Sequence, residues 1–151
     1  MKAVIFDMDG TLCDVSSIRY HVNPEHPWFS GKKRFDRFHS DAIDCPPNQA
    51  AIEHYERARR DGHAILIVTA RKSFWAMHTL MWLRENNVEH DELYMRKNLD
   101  NRKDSIVKRE ILEQIREDGY EPILAVDDNP AVIEVWESEG IPTVTIPGWE
   151  D

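Results

Sequence analysis

The sequence has 151 residues, 41% hydrophobic and 31% charged, the profile of one globular domain large enough for a real core and unlike that of a disordered chain. Its net charge of −9 is uneven: residues 110–151 hold one basic and twelve acidic residues, a net of −11, which leaves residues 1–109 at +2 and keeps an anionic partner open. No apolar run approaches the ~20 residues of a membrane span and the N-terminus lacks a secretory-signal pattern, so no membrane partner and a cytoplasmic location are expected.

Residues 3–6 form an unbroken apolar run that ends in Asp7-Met8-Asp9-Gly10-Thr11, a buried strand delivering two carboxylates into a turn. Residues 13–46 keep neither a helical nor a strand period and are punctuated by Asn23-Pro24, His26-Pro27, Ser30-Gly31 and Pro46-Pro47. A connection this long reads as a small cap or substrate-binding insertion, with a short helix over 34–39. Its Cys13 and Cys45 have no metal-ligand spacing, so reduced thiols are expected. Trp28, Phe29, Phe35 and Phe38 lie there among Lys32, Lys33, Arg34 and Arg37; at least two should form a miniature core for the cap, and the alternative is stacking on the bases of a single strand.

Ala51, Ile52, Tyr55 and Ala58 predict a helix over 48–61, closed by Gly62. Residues 64–68 are a second buried strand, ending in Thr69-Ala70-Arg71. A helix over 74–86 carries Phe74, Trp75, Met77, Leu80, Met81, Trp82 and Leu83, apolar enough to be covered on more than one face. A strand over 92–95 leads into a polar loop over 96–103, and residues 96–109 hold six basic and two acidic side chains. Asp104 can cap a helix over 105–117 that turns Val107, Ile111 and Ile115 inward. Residues 122–126 are a third apolar strand, ending in Asp127-Asp128. Asn129 caps and Pro130 opens a helix that buries Val132, Val135 and Trp136, and 143–146 make a last strand. This alternation predicts a three-layer α/β domain around a Rossmann-like parallel sheet, with one insertion and no interdomain linker.

In an open α/β sheet the carboxyl ends of parallel strands line the ligand crevice. Asp7 and Asp9, Thr69 and Arg71, and Asp127 and Asp128 are therefore expected to converge. Four carboxylates at one rim repel one another unless a cation neutralises them, and an all-oxygen site suits Mg²⁺. With a metal beside a free carboxylate, phosphoryl chemistry follows. A single Asp at a strand end is as readily a turn former or helix cap; two pairs at two strand ends weigh against that.

Asp7-Met8-Asp9-Gly10-Thr11 resembles the DxDGT signature of the haloacid-dehalogenase-like superfamily of phosphotransferases, with Thr69, Lys108 and Asp127-Asp128 as its second, third and fourth motifs. Members that break carbon–halogen bonds lack the second acid, so Asp9 implies phosphatase chemistry. More narrowly, Phe35-Asp36-Arg37-Phe38-His39 with Asp44-Cys45-Pro46-Pro47-Asn48, Met95-Arg96, Arg102-Lys103-Asp104 and Lys108 to Leu112, and the stretches Val126 to Asp128 and Glu139 to Thr143, look like the 3′-phosphatase domain of bacteriophage polynucleotide kinase/3′-phosphatase. No G-x-x-x-x-G-K-[S/T] loop occurs, so one phosphatase domain over 1–151 is expected, with no kinase domain and no 5′-kinase activity.

The resemblance implies that Asp7 is the nucleophile, forming an aspartyl-phosphate, and that Asp9 acts as general acid and then base. Thr69 would bond a phosphoryl oxygen and Lys108 would neutralise phosphate and Asp7. Mg²⁺ would be held by Asp7, the Asp9 carbonyl and Asp127, with Asp128 a ligand directly or through water. Arg19, Arg71 and Arg96 match substrate-facing arginines. Asp104, four residues before Lys108, either orients that lysine or is only a helix cap. His21, His26, His54, His63, His78 and His90 receive no role. The expected activity is Mg²⁺-dependent removal of 3′-phosphate from DNA or RNA ends or nucleotides. The alternatives are a phosphatase for small phosphorylated metabolites and a nucleic-acid end-binding module without turnover.

Overall fold

In the computed structural model, which describes residues 1–147, strands β1 (Lys2–Phe6), β2 (Ala64–Lys72), β3 (Glu92–Arg96), β4 (Glu121–Asp127) and β5 (Thr143–Thr145) form one parallel sheet in the order β3-β2-β1-β4-β5. β1 lies at the centre and is covered on both faces, which is why its sequence is continuously apolar rather than alternating. Val4 and Phe6 point into one core, with Ile65, Ile67, Tyr55 and Trp82; Ala3 and Ile5 point into the other, with Leu66, Leu112 and Trp136. Helices α1 (Phe35–Asp41), α2 (Gln49–Arg60) and α3 (Ala76–Glu85) supply the first core, and α4 (Asp104–Glu117) and α5 (Pro130–Ser138) the second. The Asn48 and Asn129 side chains accept from the amides of Ala50 and Ala131 and so cap α2 and α5, as their sequence positions predict.

Strand order reverses at β1, with β2 on one side and β4 on the other, so the crevice of the sheet opens where β1 ends. β2 continues past residue 68 to Lys72, and its register against β3 breaks between Thr69 and Lys72. Thr69 and Arg71 are thus held by the strand itself rather than by a following loop.

Residues 13–46 do not build a cap with a core of its own. Two 3₁₀ turns (Ser16–His21 and Ala42–Asp44) flank α1, and Val15, Ile18, Val22, Phe38, Ala42 and Cys45 join the core beneath β1. Among the five aromatics of the segment only Phe38 is buried; Tyr20 and Phe29 are half-buried, while Trp28 and Phe35 are 72% and 52% exposed. The segment holds too few apolar residues to cover one another, so it lies down on the sheet instead.

The helix predicted over 74–86 opens as a 3₁₀ turn (Ser73–Trp75), and α3 buries one face only: Thr79, Trp82 and Leu83. Phe74 and Met77 are 73% and 67% exposed, contrary to the expectation of cover on several faces. α4 begins at Asp104, but its cap position is Lys103 and no side chain caps it. Among the described residues no helix is long and apolar enough to cross a membrane.

Candidate active site

β1 hands the chain to a tight turn. The Asp7 amide still donates to Val126 of β4 (3.1 Å), and then Leu12 and Cys13 donate back to Asp7 and Met8 (3.3 and 2.9 Å). Gly10 has φ +81°, a left-handed conformation that suits glycine and lets the two acids face the same cavity. That cavity, about 390 Å³, lies at the carboxyl ends of the strands.

Asp7 belongs to a buried charge cluster. Lys108 Nζ donates to Asp7 Oδ1 (3.0 Å) and Asp127 Oδ2 (2.7 Å). The other Asp127 oxygen accepts the backbone amides of Asp128 and Asn129 (2.8 and 3.1 Å). Thr11 Oγ1 lies 3.3 Å from Asp7 Oδ2 and 3.2 Å from Asp128 Oδ1. Burial pushes the Asp7 carboxyl up to about 6, with the Asp127 charge adding and Lys108 opposing. Burial, then the Asp7 charge, pushes Asp128 up to about 10. For Lys108 burial favours the neutral amine, but Asp127 and Asp7 outweigh it and hold the ammonium well above its ordinary range.

Asp7, Asp127 and Asp128 each offer an oxygen within 4.8 Å of the others, all buried. Once Asp128 ionises, three carboxylates face one ammonium and leave an excess of negative charge, and Asp128 Oδ2 is buried with no hydrogen-bond partner among the described residues. An orphaned carboxylate oxygen in a hard, all-oxygen set is what a divalent cation satisfies.

Asp9 meets a different environment. Arg71 grips it with Nε to Oδ2 (3.0 Å) and Nη2 to Oδ1 (2.5 Å), and its third nitrogen donates to Thr79 Oγ1 (3.0 Å). Burial would raise the Asp9 carboxyl, but the guanidinium outweighs it and holds the group below its ordinary value. His39 Nδ1 stands 3.8 Å from Asp9 Oδ2, itself buried and without a hydrogen-bond partner among the described residues. Burial takes this imidazole down to about 4 against the pull of Asp9.

The structure thus brings together Asp7, Asp9, Thr69, Lys108, Asp127 and Asp128 around one cavity, as the strand ends predict. Of the three arginines expected to face substrate, Arg71 and Arg96 line the cavity and Arg19 does not. Arg71 lines the cavity, but its fork faces Asp9 and Thr79 rather than open space. Arg96 is a staple: its three nitrogens donate to the carbonyls of Ala70, Asp100 and Arg102 and to Asp104 Oδ1 (2.6 Å). Asp104 therefore serves Arg96, not Lys108, and is not the cap of α4. Arg19 is buried in the first 3₁₀ turn and does not line the cavity.

Sequence reasoning left out His39 and Trp75, both cavity-lining. Phe35 and His39 are four residues apart on one helical face, a signal that could have drawn His39 in. Trp75 lies on a turn that hydropathy merges with the helix behind it, so nothing local marks it.

A family model described as the polynucleotide kinase PNKP phosphatase domain matches residues 1–147. In the solved "Structure of the Pnkp1/Rnl/Hen1 RNA repair complex", one chain is 25% identical, with a TM-score of 0.76 over 96% of this chain and 42% of that one. A protein of Autographa californica nuclear polyhedrosis virus named "Putative bifunctional polynucleotide kinase/RNA ligase" is 24% identical over 95% of this chain, which spans 19% of its length. The class C acid phosphatase from Bacillus anthracis shares the fold at 14% identity, with a TM-score of 0.64 over 99% of this chain and 68% of that one.

Proposed function

This chain belongs to the family of polynucleotide kinase PNKP phosphatase domains and is a phosphatase; on that premise we propose that it removes 3′-phosphates from polynucleotide or nucleotide ends with Mg²⁺ as its ion. The family match supports the substrate class. The observation that carries the mechanism is the contrast between two acids one residue apart: Asp7 in a buried carboxylate cluster with Lys108, and Asp9 locked to Arg71.

Asp7 attacks the phosphorus in line with Oδ2, the oxygen that Lys108 does not hold, and the 3′ oxygen leaves. Asp9 gives that oxygen a proton and then takes one from the water that hydrolyses the aspartyl-phosphate. Arg71 fixes both Asp9 oxygens and favours the carboxylate, the form that takes a proton from water in the second step; for the first step Asp9 must enter protonated, and its lowered value then makes it a strong acid. The Thr69 hydroxyl donates to a phosphoryl oxygen, while Lys108 offsets charge on phosphate and Asp7. Asp7, the Asp9 carbonyl and Asp128 would hold the ion. Asp127 has both oxygens occupied by Lys108 and backbone amides, which favours Asp128 as the direct ligand of the pair. The bound ion supplies charge screening that lets an anionic nucleophile approach an anionic phosphate.

The test is phosphate release from a 3′-phosphorylated oligonucleotide, a 3′-mononucleotide and sugar phosphates, each with Mg²⁺ and with chelator. Release from the 3′-phosphorylated substrates, lost on chelation, is expected; a clear preference for sugar phosphates would overturn the substrate reading. Asp7→Asn should lower the rate by on the order of 10³ or more with far-UV circular dichroism unchanged. Wild-type rates in that variant would remove the nucleophile assignment.

A further inference from the structure

Two features over residues 16–41 lie outside the catalytic cluster and point the same way. This span holds five basic residues against three acidic ones, a local excess of cations in a chain of net charge −9. It also displays aromatic rings that the core does not use. Trp28 is 72% exposed yet propped: its ring lies 5.8 Å from Tyr20, edge-on, and 5.5 Å from His26, and its backbone amide donates to His26 Nδ1 (3.1 Å). Phe35, half-exposed at the cavity mouth, stacks on His39 (6.3 Å, 29°), whose ring meets Trp75 at 5.6 Å.

The stretches of residues 16–41 that carry the two ring clusters are tied to each other. The Arg34 amide donates to the His21 carbonyl (2.8 Å), and His21 Nε2 lies 2.8 Å from Asp41 Oδ2, tying the first 3₁₀ turn to both ends of α1. Lys32 and Lys33 lie between the clusters in the chain and Arg37 lies between Phe35 and His39; all three are exposed, and among the described residues none of them pairs with a carboxylate.

Pre-positioned rings alternating with free cations are what a single-stranded polyanion with planar bases requires, because stacking accepts any base and cations follow the backbone. An apolar protein partner has no use for three unpaired cations among the rings. We propose that residues 20–37 form a track for a single strand entering the cavity 3′ end first, with Phe35 against the terminal base, Trp28 against a base further back, and Lys32, Lys33 and Arg37 on the phosphates between. This rests on the 3′-phosphatase reading above and says how a polynucleotide end is favoured over a mononucleotide.

The experiment uses the whole chain in two arms. In chelator, fluorescence anisotropy reads binding of a labelled, 3′-phosphorylated oligonucleotide of about twelve nucleotides between roughly 50 and 200 mM salt. Trp28→Ala should weaken binding about tenfold with the salt slope kept. Lys32→Ala/Lys33→Ala should flatten the slope of log affinity against log salt by about 1.4, the value for two single-strand phosphate contacts. With Mg²⁺, the ratio of kcat/KM for the oligonucleotide to that for a 3′-mononucleotide should fall about tenfold in Trp28→Ala. Wild-type affinity, slope and ratio in both variants would overturn the track while leaving the 3′-phosphatase reading standing. Failure of the wild-type chain to release phosphate from the oligonucleotide would instead overturn that reading.

Discussion

Asp7 and Asp9 are neighbours but one in the chain, and their opposite surroundings suit the two roles proposed for them. The sequence marks both as carboxylates at a strand end. It does not mark Arg71 as the partner of Asp9, because pairing across 62 residues depends on how β2 lies against β1. Arg71→Ala removes the two-toothed guanidinium that pairs with that buried carboxylate and should cost about 3–5 kcal/mol of stability by denaturant titration. It should also raise the Asp9 carboxyl, so the limb of the pH–rate profile that belongs to Asp9 moves to higher pH; an unmoved limb would detach Asp9 from proton transfer. His39 gives a second residue-scale expectation. Its folded-state value of about 4 lies below the ordinary 6.5, so its neutral burial contributes stability above pH ~6.5 that is lost as pH falls toward ~4. Asp7 works in the opposite sense, its raised value favouring the folded state as pH drops below about 6, so the informative quantity is a difference. His39→Phe should lose less melting temperature than wild type between pH ~6.5 and ~4, and identical losses would contradict a buried neutral imidazole.

At the scale of elements, the helices and the apolar strands are where the hydrophobic spacing puts them, and the errors have physical causes. Over α3 and the turn before it two apolar stripes compete: Phe74, Met77 and Met81 on one side, Trp82 and Leu83 on another. Helical spacing alone does not choose between them, and the sheet takes the stripe with tryptophan. Trp82→Ala should therefore cost about 3–5 kcal/mol, while Met77→Gln stays within about 0.5 kcal/mol in the same thermal or denaturant unfolding experiment. Equal costs would mean that the exposed stripe is covered. Residues 13–46 mislead for a related reason. Their buried residues, Val15, Ile18, Val22 and Phe38, are spaced for contact with β1 and α2 rather than for any local period. The loop after β3 owes its shape to Arg96, which lines the cavity and also holds backbone carbonyls, a second task that sequence alone does not mark in an arginine.

For the molecule as a whole, alternation of strands and helices is enough to predict a parallel three-layer domain, but not which strand is central, since that is decided by packing between segments far apart in the chain. The central place of β1 puts three carboxyl groups from two strand ends together, and this should make cation binding a deprotonation event. Without an ion Asp128, at about 10, holds its proton at pH 7. Cation binding should release about one proton, tighten as pH rises and raise the melting temperature. Calorimetry in buffers of different ionisation heat reads the proton directly, and no release would contradict Asp128 as a ligand. The Lys108–Asp7 and Thr11–Asp128 contacts have a temporal consequence as well, for they join residues 101 and 117 positions apart. No early segment of the chain carries a working portion of the centre, and a ribosome must release α4 before the first acid can meet its lysine and β4 before that lysine meets Asp127. Catalytic competence is then among the last properties acquired during synthesis or refolding, and a half-made copy is chemically silent rather than partly active.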